Sequence, residues 1–469
     1  MTGRFVNPLT AKLLTIGLLA LVLLFPLAQV RSLVHERRAM RQSAVDRIGV
    51  GWGARQIIGS PILAVPIETD TRLGERIVRT PGVVHVLAGQ ASLQARLRPE
   101  LRHLGIYTVP VYVAAVQVSG EFDAQAIGEL LAMSADNGSV GAASVGREPP
   151  GREQTAGERT GRIVHWSRAR IVVPVADVRG IREVKLARWD GKDLHLQPAA
   201  YDDLGGIGAQ IDASPLTQGR PIPFRFEMEL AGSEALHVLP LARATAVQIA
   251  STWQHPNFSA GAFLPARYTL DSGGFDAHWQ VLELNRDFPQ SWPETAVAAA
   301  RLRAAAFGVD LYQPVDTYQR NERAIKYALL FIAITLMSIF LWEHLSRTRL
   351  HALQYLLVGL ALCVFYLLLL ALSEHVSFAG AYLIAATALV ALVGVYLAGA
   401  LRSRRAGALA GIAMASVYAL LYLLVLSEQY ALLLGAVLLF GVLATIMLVT
   451  RRLNWHALAA GGADPPPGD

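Results

Sequence analysis

The residues best suited to chemistry sit at the ends of apolar runs. Ser373-Glu374-His375 and Ser427-Glu428-Gln429 each follow a leucine-rich stretch directly. Acids placed there can gate a pathway, hold a cationic group or relay protons. The plainer reading is that each Ser-Glu ends a helix at the water interface. The surrounding text matches at a spacing of 54 residues: Leu367, Leu369, Leu370, Leu372, Ser373 and Glu374 correspond to Leu421, Leu423, Leu424, Leu426, Ser427 and Glu428. That pattern suggests a duplicated hairpin with both copies in one orientation. Glu343-His344 ends another apolar run in the same way. Elsewhere, Trp253-Gln254-His255-Pro256-Asn257-Phe258 and Phe275-Asp276-Ala277-His278-Trp279 set two histidines among aromatics, where imidazole can bind metal or move protons. With no ligand cluster nearby, a turn packed with aromatics is the expected role. Gly205-Gly206-Ile207-Gly208 lacks the strand and helix that give a glycine loop its grip on phosphate. There is no Walker lysine, no His-Glu-x-x-His and no Gly-x-Ser-x-Gly. The sequence therefore predicts no catalytic residues, no metal and no cofactor.

The elements that position these residues are mostly membrane helices. Of 469 residues, 53% are hydrophobic and 17% charged, against about 25% charged in a soluble domain. The apolar excess lies in one early segment and in a block from Tyr327 onward. Spans of about 20 apolar residues are expected at 13–30, 327–342, 352–372, 378–401, 408–426 and 430–449, the second of them short. The first reads as a retained anchor, because no small-x-small cleavage site follows it. Linkers of a few residues make neighbouring spans antiparallel hairpins.

Orientation follows from loop charge. Arg347 and Arg349, then Arg402, Arg404 and Arg405, then Arg451 and Arg452 mark alternate loops and the tail, while 373–377 and 427–429 hold no Lys or Arg. This places both termini in the cytoplasm and residues 31–326 outside. Arg31, Arg37, Arg38, Arg41 and Arg47, just after the first span, oppose that orientation. The net charge is +6, yet the basic residues form no stripe with interleaved aromatics, so nucleic-acid binding is discounted. The single cysteine, Cys363, lies inside a span and forms no internal disulfide. Tyr355, Tyr366, Tyr382, Tyr396, Tyr418 and Tyr422 read as packing or interface residues.

The polar region carries strand signals. Phe224, Phe226, Met228 and Leu230 alternate with Arg225, Glu227 and Glu229. Asp190-Gly191 is a hairpin turn between 183–189 and 192–197, with Val184, Leu186, Leu194 and Leu196 expected on one face. Further strands are expected at 83–87, 107–119, 163–175, 244–250 and 278–284, and helices at 33–48, 121–133 and 294–307. Residues 134–161, rich in Gly, Ser, Ala and Pro, bury too little apolar area to order and read as a flexible loop. It divides lobe 1 (31–133) from a β-rich lobe 2 (162–326). The fold class is a multi-pass membrane protein, six transmembrane helices (1 + 5) with a large, mainly antiparallel-β domain of sandwich-like lobes. The five-helix block spans 327–449, between a start at 1–30 and a tail at 450–469.

Long stretches resemble the CreD family of bacterial inner-membrane proteins. They include 57–66, Gly105-Ile106-Tyr107-Thr108-Val109-Pro110-Val111-Tyr112, 253–265 and Gly273-Gly274-Phe275. The strongest runs from Gly308-Val309-Asp310-Leu311-Tyr312-Gln313-Pro314-Val315-Asp316 through Asn321-Glu322-Arg323-Ala324-Ile325-Lys326-Tyr327, and 354–362, the Ser-Glu-His loop, 430–435 and 450–455 follow. Residues 134–161 and Ser60, where the family reads Gly then Pro, depart from the pattern. The resemblance implies a role in cell-envelope integrity under the CreBC two-component system, and a bearing on tolerance to colicins and β-lactams. It implies no catalytic residue, substrate or cofactor. The expected function is a non-enzymatic envelope-stress protein working through a periplasmic or membrane partner or an envelope component. The segment 308–326, with Asp310 and Asp316, is expected to couple the domain to the second span as a rigid, turn-rich entry. A transporter or lipid-handling protein using the helical block is the alternative, and a membrane enzyme on envelope precursors the third. The lipid bilayer is expected as a further partner.

Overall fold

The computed structural model describes residues 8–73, 76–125, 127–128, 158–293, 296–311, 317–346, 350–401, 403–427 and 431–450. Two compact units result, one of Met1–Gln42 with Val315–Asp469 and one of Ser43–Pro314.

The first unit is helical. It holds α1 (Pro8–Trp52), whose residues from Ser43 belong to the second unit, then α3 (Thr317–Ser346), α4 (Ala352–Ser373), α5 (Phe378–Ala400), α6 (Arg404–Leu426) and α7 (Ala431–Thr450). By length and composition α1 and α3 to α6 are able to cross a bilayer; α7 is twenty residues without a charge, which also suffices. The second span is not short: α3 runs 30 residues because Thr317–Lys326 is already helical rather than turn-rich. Hydropathy begins late there because Asn321, Glu322, Arg323 and Lys326 are polar. Glu322 and Lys326 pair at i,i+4 (3.5 Å) and support that first stretch.

Small residues bring the helices close, as expected where no hydrophobic force separates helix from lipid. A Cβ on Gly407 of α6 would lie 2.4 Å from Ala398 Cβ and 2.7 Å from Gly394 O of α5, and one on Gly359 of α4 would lie 2.3 Å from Leu23 of α1. Tyr355, Tyr366 and Tyr418 are fully buried in this packing.

The second unit holds three sheets. An eight-stranded one runs Arg267–Asp271, Gly274–Leu282, Ala242–Ser251, Ala88–Leu104, Tyr107–Phe122, Ile222–Ser233, Ile181–Trp189 and Lys192–Asp193 in spatial order. A seven-stranded one runs Gln197–Tyr201, Leu204–Gln210, Arg170–Pro174, Ile62–Leu73, Arg76–Val86 and Ser291–Pro293, with Glu158–Val164 also on Ile62–Leu73. A four-stranded one joins Gln56–Gly59, Ala235–Leu239, Phe307–Leu311 and Pro256–Asn257. Pairing is antiparallel except Gln56–Gly59 with Ala235–Leu239 and Ala242–Ser251 with Ala88–Leu104. One hydrophobic cluster takes side chains from all three, among them Val65, Ile171, Leu93, Val116, Phe226 and Val309. The sheets thus share one core as a sandwich does.

Both large sheets mix strands from either side of residues 134–161, so that stretch does not separate two sheets. Its last residues, 158–161, pair with Ile62–Leu73; 134–157 lie outside the described residues. Glu121 and Phe122 are strand rather than helix, because they pair with Gln90 and Ile222. The helix expected at 294–307 is confined to α2 (Ala299–Ala304), since Phe307 opens a strand against Val238. Residues 163–175 are broken by a 3-10 turn at Trp166–Arg168, and the strand expected at 278–284 runs Gly274–Leu282 before a 3-10 turn at Glu283–Asn285. The hairpin at Asp190-Gly191 is present, with φ of 50° and 76° as its turn type requires. Its second strand stops at Asp193, and Gln197–Tyr201 passes to the other sheet. A bulge at Lys185, where Glu227 faces Leu186 and Met228 faces Val184, turns Val184 and Leu186 to opposite sides.

Candidate functional site

In the helical unit two polar clamps join the same three helices. At one end, Glu343 of α3 is 5% exposed. It receives hydrogen bonds from the Lys12 ammonium of α1, from Leu350 N–H (2.9 Å) and from the Tyr355 hydroxyl of α4 (2.6 Å). At the other end, Glu374 accepts from the Tyr318 hydroxyl of α3 (3.2 Å) and pairs with Arg37 of α1 (3.6 Å). Beside it, buried Asn321 donates to Ser373 Oγ (2.9 Å), and Glu322 pairs with Arg38 (3.5 Å). Lys12 and Arg37 are 25 residues apart on α1, about 37 Å at the helical rise. That separation brackets a hydrocarbon core of about 30 Å. Glu374 is thus a fastening group with partners on two helices, and His375 beside it is exposed. Glu428 lies outside the described residues.

In the sheet unit, Asp310 sits in the four-stranded sheet opposite Ala235, 2.9 Å from both Arg55 and His237. Residues 308–311 therefore belong to an inner strand of that sheet, held between Ala235–Leu239 and Pro256–Asn257; Asp316 lies outside the described residues. Ser60 donates to Leu241 O (2.7 Å) in a buried site. Trp253 donates its indole N–H to His255 O (3.2 Å), His255 is exposed, and Phe258 meets Tyr268, Phe275 and Trp279 at 5.3–5.7 Å. His278 lies 3.0 Å from Asp276. Within this unit the short strand after His255 lies beside Asp310, Asn257 pairing with it in register. Among the described residues no group of three or more His, Cys, Asp or Glu side chains is gathered as a metal centre requires.

What sequence reasoning missed is the outward face of the eight-stranded sheet. Strand register carries one row across six strands: Arg267, His278, Gln248, Gln94, Gln117 and Glu227. At about 4.8 Å per strand the row is about 24 Å long. Ala115, Ala246 and Ala250 flank it and leave two adjoining depressions of about 370 and 550 Å³, both lined by Gln94 and Gln248. Most charges here are matched: Glu229 with Lys185 (2.9 Å) and Arg98 (3.5 Å), Glu227 with Arg225 (2.6 Å). The Lys185 hydrogen bond holds Glu229 below the usual carboxylate range. Gln248 donates to Asp276 (2.9 Å). Gln94 and Arg96 are exposed and have no such partner among the described residues. The arrangement suits hydrogen bonding to an extended polar chain laid across the strands. The alternation of Gln90, Ser92, Gln94 and Arg96 with Ala91, Leu93, Ala95 and Leu97 was the available signal.

The comparisons agree with this architecture. The family model described as "Inner membrane protein CreD" matches residues 8–456. The inner membrane protein CreD of Escherichia coli (strain K12) is 31% identical over 461 residues, covering 97% of this chain and 95% of that protein. A match of that extent takes in both the helical and the sheet unit, and the chain belongs to the CreD family of inner membrane proteins.

Proposed function

We propose that this protein is a non-enzymatic component of envelope maintenance and stress response. In this reading both termini are cytoplasmic, the sheet unit lies in the periplasm, and its eight-stranded face binds a partner or envelope component. The observation that carries the binding role is the amide row with its open flanking depressions and an unengaged Gln94 and Arg96. The placement is supported by seven Lys or Arg residues in alternate loops and tail against none in the others. Two of the five arginines that oppose this orientation, Arg37 and Arg38, are matched by Glu374 and Glu322.

A photo-reactive residue introduced at Gln94 is expected to trap a discrete product in living cells. The same residue at Leu284, 92% exposed and off this face, is expected to trap none. The Arg96→Glu change should reduce the Gln94 product several-fold. Equal trapping at both positions, or none at Gln94, would count against the face as the working surface. Lipid handling by the helices is the second reading, favoured by an apolar cavity among α3, α5 and α6.

A further inference from the structure

We infer that the helical unit holds one anionic phospholipid, with an acyl chain between α3, α5 and α6 and its phosphate at Arg404 and Arg405. The cavity is about 300 Å³. Its walls include Ile339 and Trp342 of α3, Val393 and Leu397 of α5, and Ala413 and Met414 of α6. The hydroxyls in that lining are already used. Thr335 donates to Phe331 O (2.8 Å) and Ser338 to Ile334 O (2.7 Å), each within its own helix. The cavity therefore offers no free donor to a polar solute, and an unpaired polar group entering it forfeits its hydration. A hydrocarbon chain loses nothing by entering. Alanines at 410 and 413, one turn apart on α6, open the space; larger residues there would close it.

The charge at the mouth selects the headgroup. Leu401 and Leu409 line the cavity on either side of the α5–α6 turn. Arg405 stands four residues before Leu409, on the same face of α6. Helical side chains lean toward the N-terminus, so Arg405 extends beyond the helix end, where a headgroup sits above its chain. Arg404 and Arg405 are exposed and have no acidic partner among the described residues. Ser403 caps the helix by accepting from Ala406 N–H (3.3 Å), and the remaining first-turn N–H groups favour an anion there. Trp342, 37% exposed at the rim, suits the headgroup level. The inference concerns one leaflet and holds whichever side of the membrane that leaflet faces.

Native mass spectrometry of the full chain in detergent, titrated with phosphatidylglycerol or phosphatidylcholine of identical chains, tests it. One phosphatidylglycerol is expected to bind about tenfold more tightly than phosphatidylcholine. The surface change Arg404→Gln/Arg405→Gln should abolish that preference while one lipid still binds. Ala410→Leu/Ala413→Phe should remove the tight equivalent altogether, with an unchanged melting temperature confirming the fold. Equal affinity for the two lipids, binding without a saturable first equivalent, or a preference that survives the arginine changes each overturns the inference. Because the arginine variant leaves the cavity intact, a misfolded cavity variant does not remove the test.

Discussion

The Lys12→Ala variant is expected to melt roughly 10 °C lower than the parent in detergent, the largest loss foreseen for any single change in the helical unit. Glu343 is buried, and its carboxylate accepts from the Lys12 ammonium, Leu350 N–H and the Tyr355 hydroxyl. Removing that ammonium breaks a buried ion pair from one side, which costs about 3–5 kcal/mol. Lys12 is itself 30% exposed, so solvent screening puts the loss toward the lower figure. Glu343→Gln retains shape and most hydrogen-bonding capacity while removing the charge, so it should cost less than Lys12→Ala. Lys12→Met/Glu343→Gln should recover most of the stability. Thermal unfolding of the four proteins decides the matter. If Lys12→Ala melts within about 2 °C of the parent, the clamp is not a buried ion pair in solution.

Acid should weaken the sheet unit well before its carboxylates protonate. His85 is 8% exposed, lies edge-on to Tyr201 at 4.8 Å and near Trp292 at 6.0 Å, and its Nδ1 has no hydrogen-bond partner. Burial pushes its pKa down to about 4, against about 6.5 in an unfolded chain. The unfolded state therefore binds the proton first as pH falls. The neutral ring's contribution is fully present above about pH 6.5 and is lost between there and about pH 4, amounting to about 3 kcal/mol. His85→Phe should flatten the melting profile across that window, and profiles that stay parallel would show that His85 is not buried neutral. The neighbouring hydrogen bonds, Trp292 N–H to Tyr201 Oη (2.7 Å) and Tyr201 O–H to Val297 O (2.5 Å), hold the pocket closed around it.

The helices were legible because each signal was local: a run of apolar residues long enough to span, ended by Arg, Ser-Glu or a short loop. Phe224, Phe226, Met228 and Leu230 were legible for the same reason, and all four are buried. Ala88–Leu104 was not. Half of its inward positions are alanine, too small to mark a core face, and Ala, Gln and Arg favour helix. Its partner Ala242–Ser251 lies some 150 positions away in sequence and runs parallel to it, so no hairpin turn announces the pairing. A still larger separation, 331 positions, hid Lys12 from Glu343, and only folding set the anchor's first cation against an acid of α3. Val184 and Leu186 were assigned to one face because the Lys185 bulge has no sequence mark. Asp310 was singled out as part of a segment coupling the domain to the second span; its pairing with Arg55 and His237 joins residues far apart in the sequence, so no local pattern announced it. Gln94 drew no attention, since an amide in a strand looks like ordinary surface until its neighbours in register are known.

A cysteine placed on the amide row provides the decisive measurement, because the chain's single cysteine, Cys363, is buried. In a Cys363→Ala background, Gln94→Cys and Arg405→Cys would be exposed to a membrane-impermeant maleimide in cells whose outer membrane alone has been opened. Rapid labelling at Gln94→Cys, with Arg405→Cys labelled only after lysis, is the result expected of a sheet unit facing the periplasm. The reverse pattern would put the sheet face in the cytoplasm, out of reach of every envelope component proposed for it.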